Sequence, residues 1–266
     1  LNSQHIRFRE ANIYFERRGQ GRPVVFLHGF LEDRSMWDNF SSQLSKHFDP
    51  ILIDLPGHVD SENLGYAHRM ELMADLVHDV LKRLKKRKVV LGGHSMGGYA
   101  ALAFADKYPD MLNGLVMMNS TSRSDSKEKK LNRDRGIALC KEDHRVFIRQ
   151  SIPLLFREED RKALKDQITE LVKRALRMNK QGVIAALEGM KVRPSREIIL
   201  KFPPYPILFI SGKQDPIIPW KQIKRQVERS EKISSYVLEN GGHMSFLESP
   251  GEVYRQLRKF LYQCLP

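Results

Sequence analysis

Short, wholly apolar runs recur along the chain, separated by longer stretches in which apolar residues return every three or four positions. Val24-Val25-Phe26-Leu27, Ile51-Leu52-Ile53, Val89-Val90-Leu91, Leu115-Val116-Met117-Met118 and Ile207-Leu208-Phe209-Ile210 are the short runs. A strand covered on both faces has no polar side to show, so these runs predict interior strands of a parallel sheet. Between them, Met36, Trp37, Phe40 and Leu44 carry helical spacing, as do Leu72, Leu76, Val80, Leu81 and Leu84 within a helix expected from Met70 to Lys86. Another helix runs to Lys107 and stops at Tyr108-Pro109, because proline disfavours helix at the residue before it. Ile6-Arg7-Phe8 and Ile13-Tyr14-Phe15-Glu16 predict a hairpin of antiparallel edge strands, with the next turn at Gly19-Gln20-Gly21.

The alternation of strand and helix breaks after Ser120. Residues 121–201 are charged and helical in pattern, without a strand-like run, and Pro203-Pro204-Tyr205-Pro206 closes the interval. The rhythm then resumes with Ile207 to Ile210, a helix near Trp220 to Arg229, a strand at Ser235 to Leu238 and a helix from Glu252 to Tyr262. The expectation is an α/β fold: a mostly parallel, doubly wound sheet of about eight strands. Its core is built from residues 1–120 and 202–266, with residues 121–201 inserted as a helical cap. At 266 residues the chain buries a substantial core without needing a second independent domain.

Charge changes this picture little. The net charge is +13, and residues 121–201 hold 21 Lys and Arg against 12 Asp and Glu, so most of the excess sits in the predicted cap. Those charges interleave with apolar residues, as in Leu171-Val172-Lys173-Arg174-Ala175-Leu176, which describes the wet faces of amphipathic helices rather than a nucleic-acid-binding tail. A secondary role in drawing an anionic substrate to a cleft fits the same excess. No apolar run approaches the roughly 18 residues of a membrane span. Leu1 to Glu10 lacks the apolar centre of a signal peptide, and Cys140 and Cys264 form no close pair suited to a disulfide framework or a zinc knuckle. A cytoplasmic protein is expected, and nothing in these patterns fixes its oligomeric state.

The chemistry concentrates at three places. Gly93-His94-Ser95-Met96-Gly97 is Gly-x-Ser-x-Gly between a buried strand and a helix, a sharp turn that lifts the serine hydroxyl into a cleft. Serine needs a general base, itself oriented by a third group. His243 in Asn240-Gly241-Gly242-His243-Met244 follows the last predicted strand, and Asp215 in Gly212-Lys213-Gln214-Asp215-Pro216 follows the one before it. Carboxyl ends of parallel strands share one rim, so Ser95, His243 and Asp215 can converge despite their sequence separation. Phe30, Trp37 and Met244 are candidate walls of a substrate pocket, and His28 and His94 are candidate supports of the loops around it.

This ensemble resembles the α/β-hydrolase superfamily over nearly the whole chain, in which the order is serine, acid, histidine. His28-Gly29-Phe30 resembles the family's oxyanion loop, which implies the backbone N–H groups of Phe30 and Met96 as the oxyanion hole. Asp54-Leu55-Pro56-Gly57-His58-Val59-Asp60-Ser61 looks like the family's Asp-x-Pro-Gly-x-Gly-x-Ser loop, with Val59 in place of the second glycine. The resemblance implies hydrolysis of a small-molecule ester, thioester or related acyl substrate, with no metal and no organic cofactor. Carboxylesterases, carbon–carbon bond hydrolases, enol-lactonases, perhydrolases and the menaquinone-pathway synthase share these motifs, so they indicate mechanism rather than substrate. Serine at position 95 argues against haloalkane dehalogenases, which use aspartate there, and nitrile-cleaving relatives, which use cysteine. The basic cap points to an anionic substrate, such as a carboxylate-bearing metabolite or an acyl-CoA. A receptor-like relative that keeps the fold only to bind a ligand is the alternative from another class.

Overall fold

The computed structural model describes residues 2–265. Its strands are β1 (Asn2–Phe8), β2 (Ala11–Arg17), β3 (Arg22–Leu27), β4 (Phe48–Ile53), β5 (Val89–His94), β6 (Leu112–Met118), β7 (Ile207–Gly212) and β8 (Ile233–Leu238). They form one sheet in the order β1-β2-β4-β3-β5-β6-β7-β8. β1 pairs antiparallel with β2 and β2 antiparallel with β4, while every later pair is parallel. The mostly parallel sheet and its antiparallel edge hairpin are those the apolar pattern predicts. The reason is visible in the burial: β4, β5 and β7 are buried at every position, as strands with helices on both faces must be. β8, at the open edge, is buried only at Ile233 and Leu238, which explains why its first residues lack a strand signature.

Helices α1 (Asp38–Leu44), α2 (Met70–Arg83) and α3 (Met96–Lys107) connect the first strands. α3 is buried continuously from Met96 to Ala105, and its run of small residues lets it lie against both β5 and α2. Between β6 and β7 the described chain has no strand. It forms α4 (Lys127–Ser151), α5 (Lys165–Ala175) and α6 (Lys180–Lys191), with α4 packed against α6. α4 breaks at Asp143, where φ is −145° and ψ 100°. There the carboxylate accepts the N–H groups of Arg145 and Val146, so an aspartate starts a second helix inside what the sequence presents as one. α7 (Trp220–Val227), α8 (Ser245–Glu248) and α9 (Pro250–Cys264) complete the chain. Among the described residues no helix is long and apolar enough to cross a membrane.

The consequence for function is one rim. Because β3, β5, β6, β7 and β8 run parallel, the loops after them emerge together, carrying Phe30, Ser95, Asn119, Asp215 and His243 respectively.

Candidate active site

Ser95 occupies a backbone conformation that side chains rarely adopt, φ 48° and ψ −111°, between the end of β5 and the start of α3. Strain of this kind persists only where the surroundings dictate it. Here the dictation is steric: a Cβ on Gly93 would lie 2.2 Å from the carbonyl carbon of Gly97, and one on Gly97 would lie 2.4 Å from the Leu27 carbonyl oxygen. Only glycines permit so tight a turn. The Ser95 N–H donates to the Met118 carbonyl at 2.9 Å, which fixes the turn to β6.

His243 Nε2 stands 3.0 Å from Ser95 Oγ, and its Nδ1 stands 2.8 Å from Asp215 Oδ2. Asp215 is held rigidly. Its Oδ1 accepts the N–H groups of Ile217 and Ile218 at 2.8 and 2.9 Å, and Asn119 Nδ2 donates to its Oδ2 at 3.1 Å. Burial alone raises the Asp215 pKa, but His243 and these donors outweigh it and hold the carboxyl below its ordinary value. An ionised carboxylate only accepts, so the imidazole proton sits on Nδ1 and the lone pair of Nε2 faces the serine. The amide of Asn119 also donates to the Gly242 carbonyl at 2.8 Å and so ties the aspartate loop to the histidine loop.

On the opposite side, the backbone N–H groups of Phe30 and Met96 have no protein acceptor among the described residues. His28 anchors the loop that carries Phe30: its Nε2 accepts the Leu55 N–H at 2.9 Å, leaving Nδ1 to donate to the Gly29 carbonyl at 2.8 Å. A second anchor is wholly buried. Glu32 Oε2 accepts the Gly29 N–H at 2.6 Å and lies 2.9 Å from His94 Nδ1, while His94 Nε2 lies 3.0 Å from the His243 carbonyl. An ionised Glu32 and the His243 carbonyl both accept, an arrangement that favours a ring with both nitrogens protonated. Burial pushes the His94 pKa down, yet Glu32 and the His243 carbonyl prevail and raise it.

Val59 fills the position where the motif expects glycine, and it adopts φ 39°, the left-handed backbone that glycine favours. The loop keeps its turn despite the substitution and carries the strain.

Ser95 and His243 open onto a cavity of about 440 Å³, walled by Phe30, Phe147, Leu155, Leu187 and Met190, with Lys129 and Arg133 on the α4 side. The structure thus brings together Ser95, His243, Asp215, Phe30 and Met96. It corrects two of the expected pocket walls. Trp37 is fully buried and stacks on Phe26 with ring centroids 4.7 Å apart, so its size serves the core beneath the sheet. Met244 follows the histidine in sequence but turns inward and is also fully buried. Sequence reasoning missed Glu32, Asn119 and Lys129. Glu32 carries a weak signal, an acidic residue two positions after Phe30 on a loop that must be held beside His94; the other two have no local signal.

Residues 24–256 match the model of the alpha/beta hydrolase family, and the chain belongs to that family. Among individual proteins it is similar to a thermophilic esterase from Thermogutta terrifontis, solved with malate bound: 32% identity, TM-score 0.93, all of both chains covered. It is also similar to the pimeloyl-[acyl-carrier protein] methyl ester esterase of Citrobacter koseri, at 29% identity over 92% of this chain and 96% of the relative. The (E)-2-((N-methylformamido)methylene)succinate hydrolase of Acinetobacter baylyi is 24% identical over 93% of each chain.

Proposed function

We propose that this protein is a serine hydrolase of carboxylic esters and related acyl compounds, with residues 121–201 acting as a cap that shapes the substrate cavity. The observation that carries the reading is the unbroken path from Ser95 Oγ through the two nitrogens of His243 to Asp215, opening on a cavity. Ser95 Oγ attacks the substrate carbonyl as His243 Nε2 takes its proton. Asp215 steadies the imidazolium so formed and keeps the ring in the productive tautomer. Negative charge moving to the carbonyl oxygen is received by the N–H groups of Phe30 and Met96, each donor contributing on the order of 3 kcal/mol of barrier lowering. The imidazolium returns its proton to the leaving alcohol, and an acyl group remains on Ser95. Water then repeats the sequence, with His243 as its base, and releases the acid.

The esterases among the relatives support the same class of substrate. Turnover of p-nitrophenyl butyrate tests the reading. Ser95→Ala is expected to abolish the burst and the steady-state rate, and Asp215→Asn to lower kcat on the order of 10⁴-fold by favouring the wrong tautomer. Equal turnover by native protein and Ser95→Ala would refute it.

A further inference from the structure

Of the charged side chains that line the cavity, Glu32 is engaged by His94 at 2.9 Å and Arg133 is paired with Asp125 at 2.8 Å. Asp125 is shared again, with Arg193 at 2.9 Å. Lys129 is left over. Its Nζ donates to the Ile217 carbonyl at 3.1 Å and forms no ion pair with a carboxylate among the described residues. An ammonium carries three N–H donors, so two remain.

Burial and the neighbouring guanidinium groups make the Lys129 charge costly. It stands in the first turn of α4, behind the N-cap Ser126, where the helix macrodipole is positive. Burial pushes its pKa down, and Arg193 and Arg133 push the same way against the attraction of Asp125 and Asp215. A partly buried ammonium that makes no direct ion pair among the described residues and opens on a cavity is suited to completion by a ligand anion.

Resting on the reading of Ser95 as nucleophile, we infer that the substrate is an ester bearing a free carboxylate, which Lys129 binds on the α4 side of the cavity. Helical spacing places Asn132 and Arg133 on the same face as Lys129, three and four residues on, where they line the cavity with it. The Ile217 carbonyl links Lys129 to the loop that begins at Asp215, and Lys129 lines the same cavity as Ser95 and His243, so a single ligand in that cavity can meet both the ammonium and the nucleophile. One free ammonium matches the single charge of a carboxylate. A phosphate dianion asks for a second free cation, and Arg133 is already committed to Asp125. The remaining walls, Phe30, Phe147, Leu155, Leu187 and Met190, suit the hydrocarbon between the two functional groups.

The test compares monomethyl succinate, glutarate, adipate and suberate with neutral methyl esters of equal acyl length, read as kcat/KM by proton release. Native protein is expected to prefer the carboxylate ester at one or more lengths. Lys129→Met is expected to lower that preference ratio by about tenfold or more, the loss of a charge-assisted hydrogen bond, and Lys129→Arg to restore most of it. A second readout does not depend on turnover: free glutarate or adipate should raise the melting temperature of Ser95→Ala, and Lys129→Met in that background should remove the rise. A ratio identical in native protein and Lys129→Met, or equal stabilisation of both backgrounds by the dicarboxylates, overturns the inference. Hydrolysis of neutral esters without carboxylate preference sinks the inference alone; Lys129-dependent stabilisation without hydrolysis of any ester upholds the anion site and sinks the hydrolase reading.

Discussion

Replacing Glu32 with glutamine removes one charge from beneath the active site and almost nothing else. Both bonds that Glu32 accepts, from Gly29 N–H and from His94 Nδ1, end on the same oxygen, Oε2. The amide oxygen of the introduced glutamine can stand in for it, and the amide nitrogen fills the volume of the other oxygen. His94 then loses its counter-charge and becomes neutral, with one N–H for two acceptors, so either the new amide oxygen or the His243 carbonyl goes unsatisfied. A buried acceptor left without a donor costs about 1–3 kcal/mol, and breaking a buried ion pair about 3–5 kcal/mol. Because the substitution preserves the packing, we expect about 3 kcal/mol, where those two ranges meet. For a chain of this size that lowers Tm by roughly 6–12 °C. The effect must depend on pH with a definite sign. The His94 pKa is raised in the folded state, so its contribution is complete below the unfolded value near 6.5 and fades as pH rises through the folded value. Thermal melts at pH 6 and pH 9 should therefore show a large Tm gap between native protein and Glu32→Gln at the lower pH and a smaller one at the higher. The variant should also lose kcat, because the loops of Phe30 and His243 share this anchor; about ten- to hundredfold is expected, less than removing an oxyanion donor outright. An unchanged Tm at pH 6, or a gap that widens toward pH 9, would refute the assignment of His94 as a cation.

Two further changes probe the loops around the site. Val59→Gly should leave Tm within about 2 °C of native protein, because relief of about 1–2 kcal/mol of left-handed strain offsets the entropy and packing lost with the side chain. A fall of more than about 5 °C in a thermal melt would show that Val59 contributes more by packing than it stores as strain. Glu248 accepts the Gly242 N–H at 2.6 Å, and burial pushes its pKa up to about 7. Its protonated form thus favours the fold, a contribution complete below the unfolded value of 4.5 and lost as pH rises through about 7. Glu248→Gln, which stays neutral, should melt higher than native protein at pH 8.5 and show no such advantage at pH 5; equal melting at both values would contradict the raised pKa.

The parts of this molecule legible in its sequence are those fixed by one strong physical demand. Val24 to Leu27 and Ile207 to Ile210 read as interior strands because a strand under two helical layers excludes polar residues. Ser95, Asp215 and His243 could be nominated from afar because parallel strands deliver their following loops to one rim, whatever the sequence between. Where several demands compete, the sequence is silent. Trp37 and Met244 have the chemistry of pocket walls and the burial of core residues, and only the fold decides which prevails. Lys129 is one of many lysines in a basic segment; what sets it apart is its place on the cavity wall with Nζ on the Ile217 carbonyl, which no local pattern encodes. Asn119 could be recognised as occupying the end of β6, but its bonds to Asp215 and Gly242 reach residues 96 and 123 positions further along the chain, which no local pattern encodes.

Whether Ser95 is an activated nucleophile is decided by covalent capture. Native protein is incubated with a fluorophosphonate, digested, and the modified peptide identified by mass spectrometry, with Ser95→Ala treated in parallel. One adduct is expected, on Ser95, and none in the variant. Folded native protein that remains unlabelled, or a label that persists in Ser95→Ala, would contradict it.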